Sequence, residues 1–171
     1  MLLSSQQPAS LNRYQRLARK TIEHARTSVL IPVFWRLYGA QHVQNRLATL
    51  QSLPPGTLGR GVADLLGRHH LQLIPHYENH DLKHVLLGYD MTPEDELKLK
   101  AFMFGNGDCS ITCLGFLALA LLTPELWPEL RAHYRRGRRT LPVLRWSLQA
   151  LADRNLEALR AEIGFYEAQR V

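Results

Sequence analysis

The chain has 171 residues, 46% of them apolar and 8% aromatic, which suits one domain around one hydrophobic core and excludes wholesale disorder. Its formal net charge is +6, from 21 Lys and Arg against 15 Asp and Glu. That balance points to an anionic partner such as nucleic acid, a membrane surface or a phosphorylated substrate, the plainer alternative being a solvated basic face. Two cysteines, Cys109 and Cys113, stand four apart; they cannot form a four-thiolate zinc site, and they are expected to be small reduced core residues.

In chain order, residues 1–10 are expected to be a flexible N-terminus and 11–171 a single helical domain. The first acidic residue is Glu23, so the leader is basic and acid-poor, as organelle transit peptides are, and no secretory signal is recognised. Ser10 is expected to cap a helix from Leu11 into the Thr27 region, and Pro32 to interrupt the apolar stretch 29–37. Helix is predicted to resume through Val43 and Leu47 to Leu50, up to the break at Pro54-Pro55-Gly56. A short helix follows from Thr57 to Leu66. After an irregular stretch from His69 to Pro75, Asn79 is the predicted N-cap of a helix through Leu87, with Gly88 just past its end. Thr92 and Pro93 open the next, which runs to Phe104, with Asp95 in a near capping box.

Gly105-Asn106-Gly107 marks a turn. Asp108 or Ser110 caps an apolar helix to Leu122, and Thr123-Pro124 begins another through Tyr134. Two helices beyond Gly137 divide around 153–155. No run of about 20 apolar residues is available for a transmembrane helix, and no period-two alternation appears. The predicted fold is all-α: a single-domain multi-helix bundle.

His80, Asp81 and His84 fall on the first turn and a half of a predicted helix. At about 100° per residue, His84 lies about 40° from His80 and Asp81 about 100°, so the three share one arc. Two histidines at i and i+4 are the spacing by which a helix chelates a metal. Glu96 would point roughly 120° away on an unbroken helix. The reversal offered by Gly88 and Thr92-Pro93 brings it back beside the histidines, and so places a metal site on a helix–turn–helix. The expected ligand set is His80, Asp81, His84 and Glu96. Two imidazoles and two carboxylates suit Zn2+, Fe2+, Co2+ or Mn2+. Read without a metal, Asp81 and Glu96 are first-turn acids on their helix dipoles.

His80-Asp81-Leu82-Lys83-His84, eleven further residues and then Glu96 resemble the His-Asp-x-x-His-x11-Glu motif of the coenzyme Q biosynthesis protein 4 family. Pro55-Gly56-Thr57-Leu58-Gly59-Arg60 is similar to that family's Gly-Thr-Leu-Gly segment, and His84-Val85-Leu86-Leu87-Gly88 to its His-x-Leu-x-Gly. Gly137-Arg138-Arg139 and the stretch 156–164 resemble its basic Gly-Arg-Arg element and its Leu-Arg-x-Glu-Leu-Gly ending.

The resemblance implies a helical protein of ubiquinone synthesis with a divalent metal, most readily Zn2+, and a polyprenylated aromatic lipid as substrate. The implied reaction is oxidative removal of a ring carboxylate with hydroxylation at that carbon, alongside organisation of other quinone-biosynthesis enzymes. In it Asp81 and Glu96 would ligate the metal or move protons. A homodimer and those enzymes are the implied protein partners, and the implied location is cytoplasmic with peripheral membrane association, or the mitochondrial inner membrane in a eukaryote.

The helix 111–122, apolar nearly all round, is expected to be a central core helix, though a wall for a lipid tail would read the same. The run Arg131, Arg135, Arg136, Arg138 and Arg139 suits an anionic membrane surface; no nucleic-acid module accompanies it. Two alternatives remain. One is a non-enzymatic lipid-binding scaffold with a structural metal. The other is a metal-dependent phosphohydrolase, in which His69, His70 and His76 would extend the site.

Overall fold

The computed structural model describes residues 12–24, 41–74 and 77–165. Among them there are nine α-helices and no strands. These are α1 (Arg13–His24), α2 (Gln41–Ser52), α3 (Leu58–Arg68), α4 (Glu78–Leu87), α5 (Pro93–Gly105), α6 (Ile111–Leu119), α7 (Trp127–Arg139), α8 (Leu148–Leu151) and α9 (Leu156–Glu162). Two 3-10 turns, Ala120–Leu122 and Pro124–Leu126, join α6 to α7. The all-helical expectation holds. The expected Ser10 cap, the Pro32 break and His76 lie outside the described residues.

Local chemistry sets most boundaries. Thr57, Thr92, Ser110 and Asn155 cap α3, α5, α6 and α9, each side chain accepting from a backbone N–H three residues on. Asn12 and Gln15 exchange side-chain-to-backbone hydrogen bonds at the start of α1. Gly88 ends α4 in the left-handed region, φ 71°, which a glycine enters without a Cβ clash.

One start differs from expectation. α4 begins after Tyr77, and Asn79 lies within the helix. Its Oδ1 instead accepts the N–H of Leu148 at 2.9 Å, so a tertiary partner has claimed the side chain that could have capped.

The bundle is organised around α5, whose residues Glu96, Leu97, Leu99, Lys100, Ala101, Phe102 and Met103 are all buried. One side joins the main core with Leu58, Val62, Leu82, Leu86, Val143, Leu159 and Phe165. The other packs Leu97 and Ala101 on Phe116, Ala120, Leu126 and Leu130. Helix α6 is not the central core helix its composition suggested. Only Cys113 and Phe116 are buried along it, while Ile111 is 91% and Leu121 71% exposed. Nor are both cysteines in the core: Cys109 is exposed and precedes the helix, and Cys113 is buried.

The C-terminal segment closes the bundle. Leu58 and Gly59 donate to the carbonyls of Arg154 and Ala152, and Leu156 donates to that of Gly56. Buried Arg160 donates through Nε to Leu86 O and through Nη2 to Val85 O, at 2.9 and 2.8 Å. It thereby satisfies the Leu86 carbonyl and gives that of Val85, which also accepts the Gly88 N–H, a second donor. Asn106 is also buried. Its Nδ2 donates toward Gly137 and Thr140 carbonyls at 3.1 Å, and its Oδ1 accepts from Val143 N, pinning the end of α5 to the chain after α7. No single helix among the described residues is long and apolar enough to cross a membrane.

Candidate metal centre

Helix α4 supplies His80 and His84, one turn apart, and α5 supplies Glu96 from its first turn. The chain between Gly88 and Thr92-Pro93 brings the first turn of α5 to the histidines of α4. His80 Nε2 then lies 3.0 Å from Glu96 Oε1, and His84 Nε2 3.2 Å from Oε2. The three candidate ligand atoms all fall within 4.8 Å of one another. Three donors held about 2.1 Å from one tetrahedral ion would be separated by roughly 3.4 Å, so the spacing is of the right order for one shared ion.

Each member is held from behind. Tyr77 stacks on the His80 ring with centroids 4.3 Å apart, and the His84 ring stands 4.6 Å from that of His80. His84 and Glu96 are fully enclosed. Lys100, one turn along α5, places Nζ 3.2 Å from Glu96 Oε1.

Asp81 does not join the three-atom group. It is buried, with Oδ1 3.6 Å from His80 Nδ1, the ring's other nitrogen. His69 pairs with Asp90 and His70 is exposed. Among the described residues, then, the histidines expected to extend a phosphohydrolase site stand apart from Glu96.

The electrostatics follow from enclosure. Burial pushes the His84 imidazole below its usual value, outweighing its hydrogen bond to Glu96. Burial opposes ionisation of Glu96 as well. The adjacent His80, the hydrogen bonds from both imidazoles and the Lys100 ammonium reverse that, and hold the carboxyl well below the ordinary carboxylate range.

The residues fit a divalent ion. Two imidazole nitrogens and an ionised carboxylate oxygen converge, a donor set that suits a divalent ion.

Sequence reasoning placed these three residues but missed Lys100. The signal was present: Lys100 lies four after Glu96, where side chains on a helix meet. It reads equally well as a solvated i,i+4 pair.

Helix α4, helix α5 and their two-histidine, one-carboxylate group, with His84 and Glu96 buried and His80 partly so, define an all-α protein with a candidate metal centre. A family profile for coenzyme Q (ubiquinone) biosynthesis protein Coq4 matches residues 73–169, a span that contains the whole group. The chain belongs to that family, and its role is in ubiquinone biosynthesis. A provisionally named ubiquinone biosynthesis protein from Nostoc punctiforme PCC 73102, known from a crystal structure, is similar in fold. It has a TM-score of 0.53 and 23% sequence identity, over 91% of this chain and 83% of that one. No curated protein sequence matches.

Proposed function

We propose that the protein is a metal-dependent enzyme of ubiquinone synthesis. Its substrate in this reading is a polyprenylated benzoate-type ring, which undergoes oxidative decarboxylation and hydroxylation at the same carbon, the carboxyl leaving as carbon dioxide and a two-electron oxidant such as dioxygen being required as co-substrate. The observation that carries the proposal is the three-donor group itself. His80, His84 and Glu96 would hold a divalent ion and leave coordination positions open, as catalytic zinc sites and two-histidine, one-carboxylate iron sites do, whereas structural zinc sites are closed by four protein ligands. This favours an enzyme over a scaffold with a structural metal. A bound divalent ion would supply Lewis acidity for the negative charge that develops as carbon dioxide leaves.

The remaining work falls to side chains. Glu96 anchors the group from α5. Asp81, expected from the sequence as a fourth ligand, lies 3.6 Å from His80 Nδ1, beyond hydrogen-bond distance, and places a carboxylate behind the ring that holds the ion. The enclosed site limits the access of water, which strengthens every electrostatic contact inside it. The exposed apolar residues Ile111, Leu114 and Leu121 offer a path for the isoprenoid tail. Exposed Arg131, Arg135, Arg138 and Arg139 on the adjoining α7 suit an anionic bilayer surface.

Complementation tests the proposal. Cells lacking their own family member should regain ubiquinone with this chain, and should not with Glu96→Gln, which keeps the shape and removes the charge. Equal rescue by both would favour the scaffold reading.

A further inference from the structure

The ammonium of Lys100 lies inside the protein. The residue is 6% exposed. Its Nζ is 3.2 Å from Glu96 Oε1 and 5.3 Å from the centre of the Phe116 ring, which is itself buried. A buried ammonium is costly unless its charge is matched. Glu96 matches it only while Glu96 serves no other cation, and under the metal reading it serves one.

The formal charges then do not cancel. Asp81 and Glu96 contribute two negative charges, Lys100 one positive and a divalent ion two positive, which leaves one positive charge over. The neighbouring charges do not remove the surplus: Glu78 pairs with Arg46, and Lys83, itself repelled by Lys100, adds positive charge that the Asp108 carboxylate opposes. A surplus positive charge in a site largely closed to water attracts an anion far more strongly than it would in solvent. A neutral ligand would leave the surplus, and a dianion would overshoot it.

We infer that Lys100 is a substrate-binding residue: its ammonium, held over Phe116 beside Glu96, takes one oxygen of a monoanionic aryl carboxylate whose other contacts lie at the three-donor group. The inference rests on the metal reading above. It adds to that reading the side chain that recognises the ligand's charge.

The full chain loaded with Co2+ tests it, since the visible absorption of cobalt reports a new ligand. Benzoate and benzamide share a ring and differ by one charge. Benzoate should bind more tightly by about tenfold or more. Lys100→Met and Lys100→Gln should keep their cobalt and weaken benzoate by a similar factor while leaving benzamide unchanged, and Lys100→Arg should restore the preference. A merely structural role for Lys100 would shift both ligands together. Equal benzoate affinity in the wild type and in cobalt-loaded Lys100→Gln overturns the assignment to Lys100 and leaves the metal reading standing. Absence of cobalt from the wild type overturns the metal reading, and the charge count with it.

Discussion

A methyl group placed on Gly137 would lie 2.0 Å from the carbonyl oxygen of Phe102. The relationship is reciprocal: one on Gly105 would lie 2.1 Å from the carbonyl oxygen of Tyr134. Helices α5 and α7 therefore meet backbone to backbone, and neither glycine has room for a side chain. Gly137→Ala should force them apart at a cost of about 3 kcal/mol, the upper end for overpacking, read as a lower denaturant midpoint. Since α5 carries Glu96, metal affinity should fall with it. Gly67, where an added Cβ meets nothing within 4 Å, is the control, and its alanine variant should be neutral or slightly stabilised. Equal midpoints for the two variants would refute the close contact.

Metal content should follow the three-donor group. The purified wild type is expected to hold about one divalent ion per chain and His84→Ala almost none, because loss of one of three ligands cripples a chelate. Asp81→Asn, acting through His80, should weaken affinity by roughly 10–100-fold. Elemental analysis showing the same content in wild type and His84→Ala would remove the site.

Acid sensitivity should arise at His133. Tyr89 Oη accepts from Arg136 Nη2 and shares a hydrogen bond with His133 Nδ1, both at 2.7 Å, and with the ring neutral Nδ1 can accept the hydroxyl proton. Burial, with the charges of Arg136 and Lys98, lowers the His133 pKa to about 4. The unfolded chain protonates this residue near 6.5. Between the two values the unfolded state holds the extra proton, so stability is full above pH 6.5 and declines as pH falls toward 4. His133→Gln should remove about 2 kcal/mol of that decline. Urea titrations at pH 7.5 and 4.5 decide it, and equal losses in both proteins would exclude His133.

The basic run is not a uniform face. Arg131, Arg135, Arg138 and Arg139 are exposed, but Arg136 turns inward, 4.8 Å from the Phe165 ring and 5.5 Å from that of Tyr89. Reversing the four exposed charges should abolish sedimentation with anionic vesicles while the thermal midpoint barely moves. Arg136→Glu should unfold the protein instead. Binding that ignores both the reversal and added salt would leave the four arginines as a solvated face.

The structure also shows what hydropathy can reveal. Caps and turns were legible because their chemistry is local: Thr92 with Pro93, Ser110 and Gly88 act within a few residues of themselves. His80, His84 and Glu96 were legible as a spacing. Burial was not. Helix α5 carries five charged residues yet forms the centre, because Glu96 and Lys100 are enclosed with partners. Helix α6 is almost wholly apolar yet lies at the periphery. Hydropathy ranks side chains by their solubility and carries no information on which charges find a counter-charge. The role of Arg160 was hidden for a similar reason, its partners being 74 and 75 residues upstream.

That separation bears on how the protein is made. Helix α4 leaves the ribosome long before the guanidinium that reaches its Val85 and Leu86 carbonyls, and α3 before the turn whose Ala152 and Arg154 carbonyls accept its first amides. At roughly 5–20 residues per second, the histidine helix waits about 4–15 s for its contact with Arg160. During that interval the histidines precede their lock, and any ion they capture can still exchange. Docking of α9 is thus a late step of high sequence separation, of the kind that slows folding. A ribosome-stalled chain ending at residue 150 should take up cobalt and lose it to a chelator within seconds, whereas the released protein should hold it.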